Sequence, residues 1–448
     1  MKQLFGTDGI RGRANQWPIT PELALKAGRA IARTVAATRG GKRKIVIGKD
    51  TRLSGYMLET ALTSGLVAEG ATVLLVGPMP TPAVAHLARS MDCVAGIMLT
   101  ASHNPYEDNG LKIFGGDGFK LNDVLERQVE ELLLGPDLTS PPGGAIGKAF
   151  RIDDAMGRYI EFVKNAMGAY TLEGLKVVVD CANGAAYFMG PLILEELGAE
   201  VIPLSTAPDG RNINADCGAL HPERAAERVR ATGADLGIAF DGDADRVIFI
   251  DETGTVVNGD RILALCAREW HARGRLRGDT LVTTVMANLG LHEAMEAAGI
   301  RVVTTPVGDR HVIEALRAGS FAFGGENSGH IIFLDYGTTG DGIMSALQVM
   351  SLMRQRGARL SELGSFMREF PQRLINLPVR EKVPLEAIPR FQEALRASEL
   401  ELGRSGRILV RYSGTELKVR VLVETAEAER SDAHAERLAT ILRAEIGA

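Results

Sequence analysis

Apolar and polar positions along this chain switch between a strand period and a helix period in a regular way. The apolar run KIVIG (44–48) precedes a stretch of helical spacing that closes at Gly70, and TVLLVG (72–77) returns as a second strand. A third run, VAGIML (94–99), then stops abruptly in the polar TASHNP. The same order recurs. KVVVDCANG, a helix through LILEELG and the strand EVIPLS lead to DLGIAF, which runs into DGDADR (241–246). TLVTTVMANLG, the helix HEAMEAAG and RVVTTPVG lead to FAF, which runs into GGENSGH (324–330). Such repetition predicts an α/β fold class: three related α/β domains with mixed, largely parallel sheets. From about 370 the pattern changes to paired strands, RILVRYSG and TELKVRVLVE, and an amphipathic helix, ERSDAHAERLATILRAEI, which predict a smaller C-terminal α+β domain. The expected domains are 1–151, 152–252, 253–369 and 370–448.

In open α/β sheets ligands sit where strands give way to loops, so three equivalent loops are expected to converge on one site. Length supports several domains, since 448 residues exceed one ordinary core. Lys and Arg number 51 against 56 Asp and Glu, and the net charge of -5 offers no general attraction to nucleic acid or to an anionic membrane. Neither partner is expected. The four cysteines, Cys93, Cys181, Cys217 and Cys266, form no C-x-x-C pair and suit a reducing, cytoplasmic setting. MKQLFGTDGIRGR lacks the apolar centre of a signal peptide, and no run reaches membrane-spanning length. Oligomeric state is left open, a homodimer being compatible.

DGDADR places Asp241, Asp243 and Asp245 at alternate positions, able to face one point. Carboxylates about 4 Å apart repel by about 4 kcal/mol at an effective dielectric near 20, so a convergent trio calls for a cation. Oxygen ligands suit Mg²⁺ or Ca²⁺. A helix-loop-helix calcium site is disfavoured because Arg246 occupies its turn glycine and both flanks read as strands. A solvated acidic turn is the plain alternative.

Ser102 lacks the G-x-S-x-G turn of a serine hydrolase, and His103, adjacent in sequence, is expected to be badly placed to take its proton. Alone, Ser102 could cap a turn before Asn104-Pro105. Beside a three-Asp loop on a matching unit, it reads better as a phosphoryl carrier. GGENSGH offers Glu326, Asn327, Ser328 and His330, groups suited to sugar hydroxyls or equally to a polar turn. In RYSGTELKVR, Arg411, Ser413, Thr415 and Arg420 surround Gly414 and could cradle an anion, or form a hairpin turn with solvated arginines.

Together TASHNP, DGDADR, GENSGH and RYSGTE resemble, in order, the α-D-phosphohexomutase superfamily, and the resemblance spans the whole chain. Within it LFGTDGIRG, SHNPYEDNGLKIFG, NLGL, VGDR and TTGDGI resemble the bacterial branch that interconverts glucosamine 6-phosphate and glucosamine 1-phosphate, a step towards UDP-N-acetylglucosamine. The resemblance implies phosphoserine, metal-binding, sugar-binding and phosphate-binding domains in that order. It implies a phosphoserine at Ser102 and Mg²⁺ held by Asp241, Asp243 and Asp245 with Ser102. Sugar contacts are implied at Glu326, Asn327, Ser328 and His330, with Gly308 and Asp309 of VGDR. The distal phosphate would fall to Arg411, Ser413, Gly414 and Thr415, with Arg420 beside them. Arg11, His103, Lys112 and Arg246 would frame the reacting phosphate. Lys112 and His103 are the candidates for moving the proton, Lys112 if neighbouring arginines depress its pKa.

Two departures stand out. Tyr412 and Leu417 replace the prolines of the usual R-P-S-G-T-E-P, which should loosen that loop before binding. Asn327 stands where the branch commonly has Gln, a shorter amide. The competing readings are a phosphomannomutase or phosphoglucomutase with the same machinery, and a non-enzymatic sugar-phosphate binding protein.

Overall fold

Each of the three expected loops lies at the turn of an antiparallel hairpin attached to parallel strands. In the computed structural model, which describes residues 4–6, 8–36, 43–139, 141–168, 170–413 and 417–448, the strand Lys44–Lys49 pairs in parallel with Thr72–Pro78 and with Ala95–Leu99. Ala95–Leu99 then turns back through residues 100–107 to pair antiparallel with Asp108–Gly115. In the second sheet Leu236–Phe240 runs parallel to Lys176–Asp180 and antiparallel to Val247–Asp251, so DGDADR is its turn. In the third, Phe323–Gly325 runs parallel to Thr280–Thr284 and antiparallel to Ile331–Phe333, which makes residues 326–330 a turn. Ala95–Leu99 and Leu236–Phe240 are buried at every position, as strands covered on both faces must be.

The first sheet holds three short strands that the hydrophobic pattern did not reveal, Phe5–Gly6, Gly9–Arg13 and Lys148–Arg151. Gly9–Arg13 lies against Asp108–Gly115 with Arg11 opposite Gly110. Its sequence, GIRGR, has too few apolar residues to read as a strand, and pairing decides it. The helix Pro21–Ala36 meets the helix Ser54–Ala68 backbone to backbone. A Cβ on Gly65 would sit 2.0 Å from the Leu25 carbonyl oxygen, so only glycine permits that approach.

By its contacts the chain divides into two compact units, Met1–Met286 with Ile300–Ser365, and Ala287–Gly299 with Phe366–Ala448. The second unit carries a three-stranded antiparallel sheet, ordered Gln372–Pro378, Lys418–Thr425, Gly406–Tyr412, under the helices Pro389–Leu402 and Ala428–Ile446. Phe391, Val421 and Leu438 lie in its core. The strand Gln372–Pro378 was missed in the sequence because its residues are mostly exposed and mixed in character. The helix read as HEAMEAAG starts earlier, at Leu289, capped by Asn288, whose side chain accepts from Gly290 N and also bonds both backbone groups of Phe370. Gly290 is tolerated inside this helix because a Cβ there would meet the Arg368 carbonyl oxygen at 1.8 Å. Among the described residues no helix is long and apolar enough to cross a membrane.

Candidate active site

Ser102 follows the buried strand Ala95–Leu99 at a left-handed φ of 54° and is 1% exposed. That conformation is costly for a residue with a side chain, by roughly 1 kcal/mol or more, and needs outside support. Thr100 supplies part of it: its hydroxyl donates to Asp50 Oδ2 at 2.6 Å and accepts from Ser102 N at 2.9 Å. Arg52, wholly buried, supplies more. Its Nε donates to Asp50 Oδ2, and its two terminal nitrogens donate to the carbonyls of Ser102, Asn104, Pro105 and Asp108. The sequence reading passed over Arg52 because it lies fifty residues earlier, in a segment with no catalytic pattern.

Ser102 Oγ then donates to Asp241 Oδ2 at 2.7 Å. The carboxylates of Asp241, Asp243 and Asp245 all offer an oxygen within 4.8 Å of one another, and all three are buried. Burial, reinforced by Asp245 and Asp243, pushes the Asp241 carboxyl up to about 8. Asp243 Oδ1 is buried with no hydrogen-bond partner, and Asp245 Oδ1, also buried, has a long 3.5 Å contact to His330 Nδ1. Crowded carboxylates with unsatisfied oxygens fit a divalent cation, and the donor set is all oxygen.

Lys112 corrects an expectation. Its Nζ lies 2.8 Å from both Asp243 Oδ2 and Asp245 Oδ2 and 3.1 Å from Asp8 Oδ2. Burial pulls the ammonium down, but Asp243, Asp245 and Asp8 outweigh it and hold the pKa well above the ordinary lysine value, so no arginine depresses it into the range of a base. His103, the other candidate, lies close to Ser102 although adjacent to it in sequence. The left-handed turn at Ser102 brings His103 Nδ1 to 3.3 Å from Ser102 Oγ and 3.4 Å from Arg246 Nη1. Burial, with Arg246 and Arg11, pushes this imidazole down to about 4 and leaves it neutral near pH 7.

Beside this cluster opens a cavity of about 330 Å³. Arg11, His103, Asp245 and Arg246 line one part of it, and Gly308, Asp309, Glu326, Asn327, Ser328 and His330 another. Glu326 Oε1 accepts from Gly308 N at 3.1 Å, tying two of the predicted stretches together. His330 is buried between Asp245 and Asp309, its nitrogens 3.5 and 3.7 Å from their oxygens. Gly340 N donates to its Nε2, which leaves Nδ1 as the N–H that faces Asp245. Lys120 bridges Asp8 and Asp309. Asp8 and Lys120 were not singled out in the sequence; Asp8 stands inside the quoted LFGTDGIRG, the one signal that could have nominated it.

In the second unit, Arg411 and Arg420 face each other directly across the hairpin Gly406–Tyr412 and Lys418–Thr425. Burial, then Arg420, lowers the Arg411 pKa. Gly414 and Thr415 lie outside the described residues. The flanks of the turn are tied without the two prolines: Tyr412 Oη donates to the Val383 carbonyl at 2.5 Å, Lys382 Nζ to the Ser413 carbonyl at 2.7 Å, and Val379 N to the Leu417 carbonyl at 3.0 Å.

Comparison with known proteins identifies the family. Four family models match in succession: phosphoglucomutase/phosphomannomutase alpha/beta/alpha domain I over 2–138, domain II over 157–254, domain III over 258–370, and the C-terminal domain over 374–441. The chain belongs to the phosphoglucomutase/phosphomannomutase family. Curated family members similar to it include a phosphoglucosamine mutase of Syntrophotalea carbinolica, 50% identical over 100% of this chain and 98% of the relative. Another from Anaeromyxobacter dehalogenans is 53% identical over the whole of both chains. Among solved structures, a phosphoglucomutase/phosphomannomutase family protein from Burkholderia thailandensis superposes with a TM-score of 0.82 at 26% identity, covering 99% of this chain and 98% of the other. An Aspergillus fumigatus N-acetylphosphoglucosamine mutase, solved with GlcNAc-6P and magnesium, shares the fold with a TM-score of 0.72 at 19% identity, over 99% of this chain and 96% of that one. As a phosphohexomutase, the chain is an enzyme of the isomerase class, and its three-Asp loop suits a divalent metal.

Proposed function

We propose that this protein interconverts glucosamine 6-phosphate and glucosamine 1-phosphate through a phosphorylated Ser102 and a glucosamine 1,6-bisphosphate intermediate, in the cytoplasm, on the route to UDP-N-acetylglucosamine. The observation that carries the reading is the position of Ser102: its Oγ is 2.7 Å from a carboxylate of the three-Asp cluster. A cavity of about 330 Å³ lined by the GENSGH loop opens beside that cluster. The full-length likeness to curated phosphoglucosamine mutases supports the amino sugar.

In this reading residues 1–151 carry the phosphoserine, 152–252 the metal ligands, 253–369 the sugar contacts and 370–448 the distal phosphate contacts. Asp241, Asp243 and Asp245, with Ser102, would hold Mg²⁺, which when bound would neutralise phosphoryl charge. All-oxygen ligation suits that ion, and magnesium is present in the A. fumigatus enzyme that shares the fold.

Arg11 and Arg246 offset charge on the transferring group, and Lys112, held as an ammonium, does the same from between Asp243 and Asp245. His103, neutral and beside Ser102 Oγ, is the group poised to hold the proton that leaves the attacking hydroxyl and to return it to the departing serine oxygen. Glu326, Asn327, Ser328 and His330, with Gly308 and Asp309, orient the sugar. Arg411, Ser413, Gly414, Thr415 and Arg420 take the phosphate that is not reacting, so the bisphosphate can present either end.

Phosphorus NMR of the purified enzyme with glucosamine, glucose and mannose phosphates, together with intact-protein mass, tests this. Exchange of the glucosamine isomers with kcat/KM at least about 100-fold above the other sugars is expected, a gap of about 3 kcal/mol. Preference for glucose or mannose phosphates would make it a sister mutase. Absence of exchange and of phosphate on Ser102 would make it a binding protein.

A further inference from the structure

The carbonyl oxygen of Ser102 is gripped from several sides. Arg52 Nη2 donates to it at 2.9 Å and to the Asn104 carbonyl at 2.8 Å. Asn214 Nδ2, from the loop after Glu200–Leu204 in the second sheet, donates to the same two carbonyls at 2.9 and 3.1 Å. Gly242, between the first two metal-loop aspartates, closes the remaining side: a Cβ there would sit 2.5 Å from the Ser102 carbonyl oxygen and 2.8 Å from Asn214 Nδ2.

The donor count is telling. A guanidinium has five N–H bonds, and Arg52 spends its donors on Asp50 and four loop carbonyls, none of them on a packing role in the core. Charge-assisted donors to carbonyl oxygens are among the stronger hydrogen bonds, and both residues sit where water cannot compete, Arg52 at 0% and Asn214 at 9% exposure. Asp50 keeps the guanidinium paired at 2.7 Å, so the grip leaves no isolated buried charge.

We infer that Arg52 and Asn214 are positioning residues for phosphoryl transfer: they hold the Ser102 and Asn104 carbonyls from two different sheets, keep Ser102 in its left-handed conformation, and so aim Oγ at the metal aspartates. The inference rests on Ser102 being the phosphoryl carrier. It gives the serine loop a fixed register against DGDADR, with Gly242 as the point of contact. Asn214 itself has a left-handed φ of 58°, so its own loop is set in shape to present the amide.

Asn214→Ala and Arg52→Lys test the grip, each read by steady-state kinetics, by single-turnover phosphorylation of Ser102 from glucose 1,6-bisphosphate followed by intact mass, and by thermal unfolding. Misplacing a reacting atom by about 1 Å costs on the order of 100-fold. Asn214→Ala should therefore lower kcat and the phosphorylation rate about 10- to 100-fold, with KM within about threefold and Tm nearly unchanged. Arg52→Lys should lower them more. Should Arg52→Lys fail to fold, Asn214→Ala decides alone. Unchanged phosphorylation rate in folded Asn214→Ala overturns the inference, and so does an effect confined to KM or to Tm. If the unmodified enzyme turns over no hexosamine phosphate, the reading of function fails, while the phosphorylation rates still decide the grip.

Discussion

In the serine loop, backbone carbonyls at 102, 104, 105 and 108 are bound by one buried guanidinium, and the charge of that guanidinium is met by Asp50. In the hairpin of the second unit, Arg411 stands directly opposite Arg420, and like charges across a strand pair oppose folding. One region spends its arginine on holding its own chain in shape. The other lines up two arginines side by side, an arrangement that suits an incoming anion. Under the proposed function the first part must be preorganised, because bonds are made and broken there, and the second must recognise.

That comparison can be broken at several points. Ser102→Ala should abolish the phosphoryl adduct in intact mass and cut mutase activity by about 10⁴-fold or more, since the carrier itself is gone; retained activity would dissolve the distinction. Asp243→Asn removes one carboxylate of the three-Asp cluster and the negative charge facing Thr81 and Lys112, and should lower kcat by about 100-fold or more, with weaker metal binding by calorimetry. Arg411→Ala should raise KM about 10- to 100-fold, one charged hydrogen-bonded contact being worth about 1.5–3 kcal/mol. It should leave phosphorylation of Ser102 by a small phosphoryl donor unchanged. Equal loss in both assays would argue against a separate recognition region.

Smaller effects sharpen the picture. Tyr412→Phe removes the tether to the Val383 carbonyl and should raise KM about fivefold, the worth of about 1 kcal/mol, with kcat held. The supports of both units should respond to acid in the same sense. His86, stacked on Phe162 at 3.9 Å, is pushed down to about 4 by burial and by Arg89. His292 in the second unit is lowered by burial and by Arg407. A histidine whose folded pKa lies below its unfolded value of about 6.5 binds its proton more readily when unfolded, so its contribution is present above about pH 6.5 and lost as pH falls towards the folded pKa. Tm should drop by a few degrees between pH 7 and pH 4.5, and His86→Phe should flatten part of that slope; a flat wild-type profile would count against it.

Much of the site was legible in the sequence because its polar residues interrupt apolar strands at three repeated places. Asp241, Asp243 and Asp245 needed only alternate spacing to be nominated, and Glu326 to His330 needed only their position after a matching strand. Arg52, Asn214, Asp8 and Lys120 were not legible. Each acts across fifty residues or more, and no local period marks such a partner. The contact of His103 with Ser102 Oγ was not legible for a related reason: Ser102 has a left-handed φ, and non-glycine residues give no warning of it.

By itself the sequence determined the residue types at the loops, the repeated strand and helix periods, and the family, since these depend on spacing along the chain. The tertiary structure alone decided protonation and aim. The Lys112 pKa is held above the ordinary lysine value because two sheets bring Asp243 and Asp245 to 2.8 Å from it, and Ser102 faces Asp241 because Arg52 and Asn214 hold its carbonyl. Burial and through-space charge set both, and neither follows sequence order.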